Sequence, residues 1–309
     1  MKTDISSFKA DDGTDIFFYR WLPDEKNDIK AAVQIIHGMG DHAGRYKEFA
    51  QALTDAGFAV YSNDHRGHGK TGGSPQTFGH LADEGGWDLV VSEVFKLTEI
   101  LKQENPLKDI FIYGHSMGSF LARDYSLIHG KEIRGMIISG TKTFPGLIEN
   151  IGTLIAKMQI RKNGPKVKSP LLLSLTFGKY NKYFKPNRTP SDWLSRDMQK
   201  VDELIADPYC NGQYSATFFL DLAKGLTKIN KMENMKKTPR HLPIYLLAGT
   251  KDPVCNFTKD VLKVYEDYKK AGIKDISFKF YEGARHEIIN ELNRQEVYKD
   301  IIDWINDRI

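Results

Sequence analysis

The sequence predicts an α/β fold: a mainly parallel eight-stranded sheet with helices on both faces and an inserted helical cap. Three observations predict it. Short apolar runs alternate with helical stretches along most of the chain, the pattern of strands joined by crossover helices. The rhythm is lost between residues 141 and 238 and then resumes. Finally, residues 109–121, DIFIYGHSMGSFL, pass from a β-branched and aromatic run through a GxSxG pentapeptide into an amphipathic helix.

The elements follow in order. SSFKA and TDIFFYRW flank the turn signal DDG and read as a hairpin. AAVQIIH, a helix near 45–56, FAVYSND, a helix near 86–104, DIFIY, a helix from 117 and IRGMIISG then alternate. After the interruption come PIYLLAG, a helix near 257–270, a strand at 276–281 and a final helix near 287–306. Core segments 1–140 and 239–309 are therefore expected to enclose an insertion, 141–238.

That insertion carries helical stretches, proline breaks at 165, 170, 186 and 190, and no convincing strand. Entering after one sheet strand and leaving before the next, it is expected to cap the C-terminal edge of the sheet above Ser116. In LIENIGTLIAKMQI, the apolar Leu147, Ile148, Ile151, Leu154, Ile155 and Met158 recur at helical spacing, a stripe expected to pack on its own domain. Residues 144–240 hold 17 Lys and Arg against 8 Asp and Glu, a local balance of +9 within a chain of net charge +4. Such a field favours anionic surfaces. Joined to LLLSLTF at 171–177, it makes peripheral membrane contact worth testing. No recognition motif accompanies the charge, so nucleic acid is not an expected partner.

The length, 309 residues, suffices for a large core. Cys210 and Cys255 are isolated and show no metal-ligand spacing, so neither a disulfide framework nor a metal is expected. The N-terminal MKTDISSFKADDG lacks the apolar region of a signal peptide, and no apolar run approaches a membrane span. These features predict a cytoplasmic protein, with any membrane contact peripheral at the inner surface.

The GxSxG motif sets the chemistry. A tight strand-to-helix turn exposes the Ser116 hydroxyl, and Gly114 and Gly118 fit where strand and helix approach too closely for side chains. A serine hydroxyl is a poor nucleophile at neutral pH, so a histidine must take its proton and a carboxylate must orient that histidine. Downstream, PIYLLAGTKDPV ends in a turn with Asp252, and SFKFYEGARHEIINEL ends in a turn with His286. Both stand just after strand ends, where such sheets gather functional groups. Oxyanion donors are expected from the backbone N–H groups of Met117, after the nucleophile, and Met39, in the loop of AAVQIIHGMGDH. His37 reads as a structural loop residue, His65 and His68 as members of a loop hydrogen-bond network, and Cys255 as a small packing residue near Asp252.

HGMGDHAGRY (37–46), YSNDHRGHGKT (61–71), GHSMG (114–118), LSRDMQKVDELIADPY (194–209) and FYEGARHEIINEL (280–292) resemble the monoglyceride lipase and lysophospholipase group of α/β-hydrolases, of the serine aminopeptidase S33-like type. The resemblance implies a serine carboxylic-ester hydrolase acting on monoacyl lipids. It implies Ser116 as nucleophile, Asp252 as orienting acid, His286 as general base, and Met39 and Met117 as oxyanion donors, with no cofactor. Asp41 stands where members commonly carry Glu, and Ser119 where glycine is frequent. Two alternatives share the fold: a serine aminopeptidase, which needs carboxylates for a substrate ammonium, and a non-catalytic ligand-binding protein.

Overall fold

The computed structural model describes all residues except 25–28, 75–76, 144–146 and 211, together with the side chains of 147–150. Eight strands form one sheet in the order β1-β2-β4-β3-β5-β6-β7-β8. They are β1 (Lys2–Lys9), β2 (Asp15–Leu22), β3 (Ala31–Ile36), β4 (Phe58–Asn63), β5 (Ile110–His115), β6 (Gly135–Ser139), β7 (Ile244–Gly249) and β8 (Ile276–Tyr281). The pairs β1–β2 and β2–β4 are antiparallel, and every other pairing is parallel. All six parallel strands therefore end on one edge, and the loops beyond that edge hold the site.

The central strands β3, β4, β5 and β7 are buried along their whole length, which is why they read as mainly apolar runs without the alternation of a half-exposed strand. Alternate residues feed two cores. Ala32, Ile36, Ile110 and Ile112 join helices α2 (Gly86–Glu104) and α3 (Met117–His129), whereas Val33, Ile35, Phe111 and Tyr113 join α1 (Lys47–Asp55) on the opposite face. Gln34 breaks the apolar pattern of β3, yet its amide donates to the Val94 carbonyl at 2.7 Å and accepts from the Thr98 hydroxyl at 2.7 Å. A buried polar group paired on both ends costs little.

Between β6 and β7 lie α4 (Leu147–Asn163), α5 (Pro170–Phe177), α6 (Met198–Ala206) and α7 (Ala216–Ile229). Pro170 opens α5 at its first position, with Ser169 as the N-cap, so this proline marks a helix start. Helix α4 lies against α7. The expected packing of its apolar stripe holds only in part: Ile155 is partly buried against the core, beside the buried Ala156, whereas Ile151, Leu154 and Met158 are 55, 60 and 65% exposed. A periodic stripe identifies residues that share a face but not what covers that face. The Leu147 and Ile148 side chains of the same stripe lie outside the described residues.

Two helix starts also differ from expectation. Helix α8 begins at Lys259 and ends at Ala271, because Asn256, Phe257 and Thr258 all hold positive φ (51, 54 and 74°). Helix α9 spans Arg294–Asn306, and a 3-10 turn, Ile288–Asn290, occupies the preceding segment. His286 is thereby left in a loop. Among the described residues, no helix is long and apolar enough to cross a membrane.

Candidate active site

Ser116 sits between β5 and α3 with φ 53° and ψ −120°, a conformation that a non-glycine residue holds only under constraint. The constraint is packing. A Cβ at Gly118 would run into the Ile36 carbonyl, and one at Gly114 would meet the Gly118 carbonyl at 2.5 Å. With both positions bare, α3 presses against β3 and β5, and the turn is driven into its strained form. Ser119 follows on the first turn, where its hydroxyl donates to the Ser116 carbonyl at 2.5 Å, a bond a glycine could not make.

Asp252 follows β7 and is fully buried. Its Oδ1 accepts the Val254 N–H at 2.8 Å, and its Oδ2 accepts Nδ1–H of His286 at 2.9 Å. Burial pushes the Asp252 carboxyl up, but the His286 charge and hydrogen bond, with the Val254 N–H, outweigh it and hold the group below the usual carboxylate range. With Nδ1 donating to the carboxylate, His286 keeps Nε2 as its acceptor. Cys255, buried beside the pair, directs its thiol to the Asp252 carbonyl at 3.6 Å, and burial raises that thiol well above its ordinary value.

The serine and the His–Asp pair meet around Gly140, just after β6. The Ser116 N–H donates to the Ser139 carbonyl at 2.9 Å. On the next residue, a Cβ at Gly140 would lie 2.9 Å from His286 Cε1 and 3.4 Å from Asp252 Oδ2. From the other side the loop after β3 closes in, since a Cβ on Gly38 would approach Ser116 Cβ to 3.2 Å. Met39 thus enters the same space as Ser116, and Met117 begins α3 directly beside it.

A cavity of about 410 Å³ opens at these residues. Met39, Ser116 and Met117 line it, and Phe120, Leu172, Phe219 and Leu226 supply apolar walls from α3, α5 and α7. Lys142, Lys179 and Asp260 bring charge to its lining.

Behind the site, the loop histidines form a buried network. His37 Nε2 accepts the His65 N–H at 3.0 Å, and His68 Nδ1 contacts the Arg66 carbonyl at 2.9 Å. Burial lowers all three, His68 to about 4, and their rings serve the loop architecture as neutral groups. His42, Asp207 and Cys210 form the one cluster of possible metal ligands found among the described residues. His42 Nδ1 accepts the Gly44 N–H at 3.2 Å, which puts the ring proton on Nε2, and that atom contacts Asp207 Oδ2 at 2.9 Å. Both ring nitrogens are then satisfied by the protein itself.

Reasoning from the sequence missed the groups around His286. The Trp193 ring lies 5.3 Å from the imidazole, and the His115 ring 4.7 Å from it. Residues 192–197 are fastened to this loop: Glu287 N–H donates to the Leu194 carbonyl at 2.8 Å, and the Ser195 hydroxyl donates to the Asn290 carbonyl at 2.8 Å. The LSRD run at 194–197 was the available signal, although nothing local told what it touches.

An eight-stranded sheet of this order, with a strained serine after β5, an acid after β7 and a histidine after β8, is the architecture of an α/β-hydrolase. The sequence profile of the family described as "Serine aminopeptidase, S33" matches residues 27–293, and the chain belongs to that family. It is 28% identical to the monoacylglycerol lipase of Mycolicibacterium smegmatis over 302 residues, 97% of this chain and 95% of that protein. It is 26% identical to the human (Homo sapiens) monoglyceride lipase over 300 residues, 96% of this chain and 88% of the relative. Among solved structures, a thermostable carboxyl esterase from Bacillus coagulans in complex with glycerol superposes with a TM-score of 0.91 at 29% identity, over 100% of this chain and 99% of that one.

Proposed function

We propose that the protein is a serine carboxylic-ester hydrolase that cleaves monoacyl lipid esters through an acyl-enzyme. The observation that carries this reading is the strained Ser116 in the lining of a mostly apolar cavity, together with a buried His286–Asp252 pair. Its relatives' names, monoacylglycerol lipase and carboxyl esterase, support the same class.

In this mechanism, Ser116 Oγ attacks the ester carbonyl while its proton passes to His286 Nε2. Asp252 holds the imidazole in its tautomer and stabilises the imidazolium. The N–H groups of Met39 and Met117 receive the oxyanion, a contribution of several kcal/mol in sites of this kind. Collapse breaks the bond to the alcohol oxygen, which leaves with the proton from His286. Water, deprotonated by the same nitrogen, then attacks the acyl carbonyl; the bond to Ser116 Oγ breaks as that oxygen takes the proton back from His286, and the carboxylic acid is released. The segment 141–238 acts as a cap whose helices α5 and α7 wall the acyl chain.

The cap also carries the outward apolar residues Ile151, Leu154, Met158 and Leu171 among its excess of lysines. We read this surface as a peripheral docking face for anionic membrane. The aminopeptidase alternative is weaker here, because the cavity lining presents two lysines against Asp260 and so offers a substrate ammonium no surplus of negative charge.

The test is hydrolysis of p-nitrophenyl esters from acetyl to palmitoyl beside Ser116→Ala. Turnover that peaks at medium or long chains and disappears in the variant is the expected result. A preference for acetyl, or unchanged turnover in Ser116→Ala, overturns the reading; activity confined to aminoacyl amides selects the peptidase.

A further inference from the structure

We propose that Arg45 is a positioning residue: its guanidinium clamps the loop that presents Met39 to the loop that presents His286, fixing the oxyanion donor relative to the general base. This rests on the ester-hydrolase reading above.

The clamp is a forked contact between segments far apart in the chain. Arg45 Nη1 donates to Asp41 Oδ1 at 2.9 Å and to Glu287 Oε1 at 3.1 Å, and Nη2 donates to Glu287 Oε2 at 2.8 Å. Asp41 is two residues beyond Met39, and Glu287 is the residue after His286. The link from cation to candidate machinery is therefore one or two peptide units at each end. Both carboxylates are fixed in turn. Asp41 also accepts the His42 N–H and the Tyr46 hydroxyl, each at 2.8 Å, while Glu287 accepts the Asn290 amide at 2.8 Å.

All three charged side chains are nearly buried, with 11, 6 and 8% of Arg45, Asp41 and Glu287 exposed. Removing three charges from water is expensive, and a well-packed apolar cluster serves stability as well or better. What a bidentate guanidinium adds is geometry: two parallel N–H bonds set both distance and angle between the groups they join. In catalysis that geometry has a use, because a shift of about 1 Å in a reacting constellation can cost about a hundredfold in rate. Despite burial, both carboxyls stay below their usual range because Arg45 faces them, so the clamp remains charged.

A second cavity, of about 560 Å³, lies behind the clamp and includes Arg45, Lys47 and Asn290 in its lining, giving small solutes a route to the guanidinium. That route supplies the test. Arg45→Ala, Glu287→Gln and the control Lys47→Ala would be assayed on p-nitrophenyl butyrate, with folded fraction followed by circular dichroism and with methylguanidinium added at increasing concentration. Expected are a kcat lowered about tenfold or more in both clamp variants with KM held within about twofold, recovery of kcat in Arg45→Ala by methylguanidinium but not by methylammonium, and an unchanged Lys47→Ala. Should Arg45→Ala fail to fold, Glu287→Gln carries the kcat-against-KM test. Folded Glu287→Gln with wild-type kcat overturns the clamp alone, as does a loss that tracks the unfolded fraction. A wild-type protein inactive on the whole ester series removes the underlying reading instead.

Discussion

The Trp193 ring lies 5.3 Å from the His286 imidazole at an interplanar angle of 32°, and the Trp193 carbonyl faces the His286 N–H at 3.5 Å. An indole face attracts a cation, and an imidazolium forms here during the proposed reaction. Trp193→Leu is expected to lower kcat/KM by about fivefold, equivalent to about 1 kcal/mol, with Trp193→Phe recovering most of it. Steady-state kinetics on one short ester checks this; equal rates for Leu and Phe remove the ring from the mechanism.

Acid stability should reflect the neutral histidines. His68 and His115 are fully buried and pushed down to about 4, and His37 and His65 are also held well below their ordinary value, in each case first by burial. Between about pH 6.5 and 4 the unfolded chain binds protons that the folded chain refuses, so stability falls as pH falls through that window. Each such group contributes a slope of up to about 1.4 kcal/mol per pH unit. Urea midpoints measured across this range should drop toward acid, and His115→Asn should flatten the decline. A flat profile in the wild type contradicts the assignment.

Gly118→Ala is expected to cost about 3 kcal/mol or more, because the added methyl meets the backbone carbonyl of Ile36, which has no room to retreat within the sheet. Thermal denaturation measures it. A midpoint within a degree of the wild type would mean that strand and helix are less closely apposed than the structure has them.

The exposed face of α4 gives a prediction about location. Replacing Ile151, Leu154 and Met158 together by Ser removes apolar surface that the fold leaves uncovered. Flotation with anionic vesicles should fall by about tenfold or more, while turnover of a short soluble ester stays unchanged. Added salt should weaken wild-type binding through the lysines of residues 144–240. Equal flotation of the two proteins would locate membrane contact elsewhere or nowhere.

By itself the sequence determined the strands, most helices and the positions of Ser116, Asp252 and His286 at strand ends. Those features are local: mainly apolar runs make central strands, and Gly114 and Gly118 permit one tight turn. Helix starts at α8 and α9 were less legible, since three consecutive positive φ values and a 3-10 turn leave little trace in a helical pattern. Tertiary structure alone decided the rest. Arg45 meets Glu287 across 242 residues, the Leu194 carbonyl receives the Glu287 N–H, and Ile151, Leu154 and Met158 of α4 turn outward while Ile155 and Ala156 pack inward. Local periodicity groups residues by face, and charge predicts only that a partner is needed. Which group arrives opposite is settled when distant segments pack, where burying a charge demands a counter-charge and two backbones can touch only where side chains are absent.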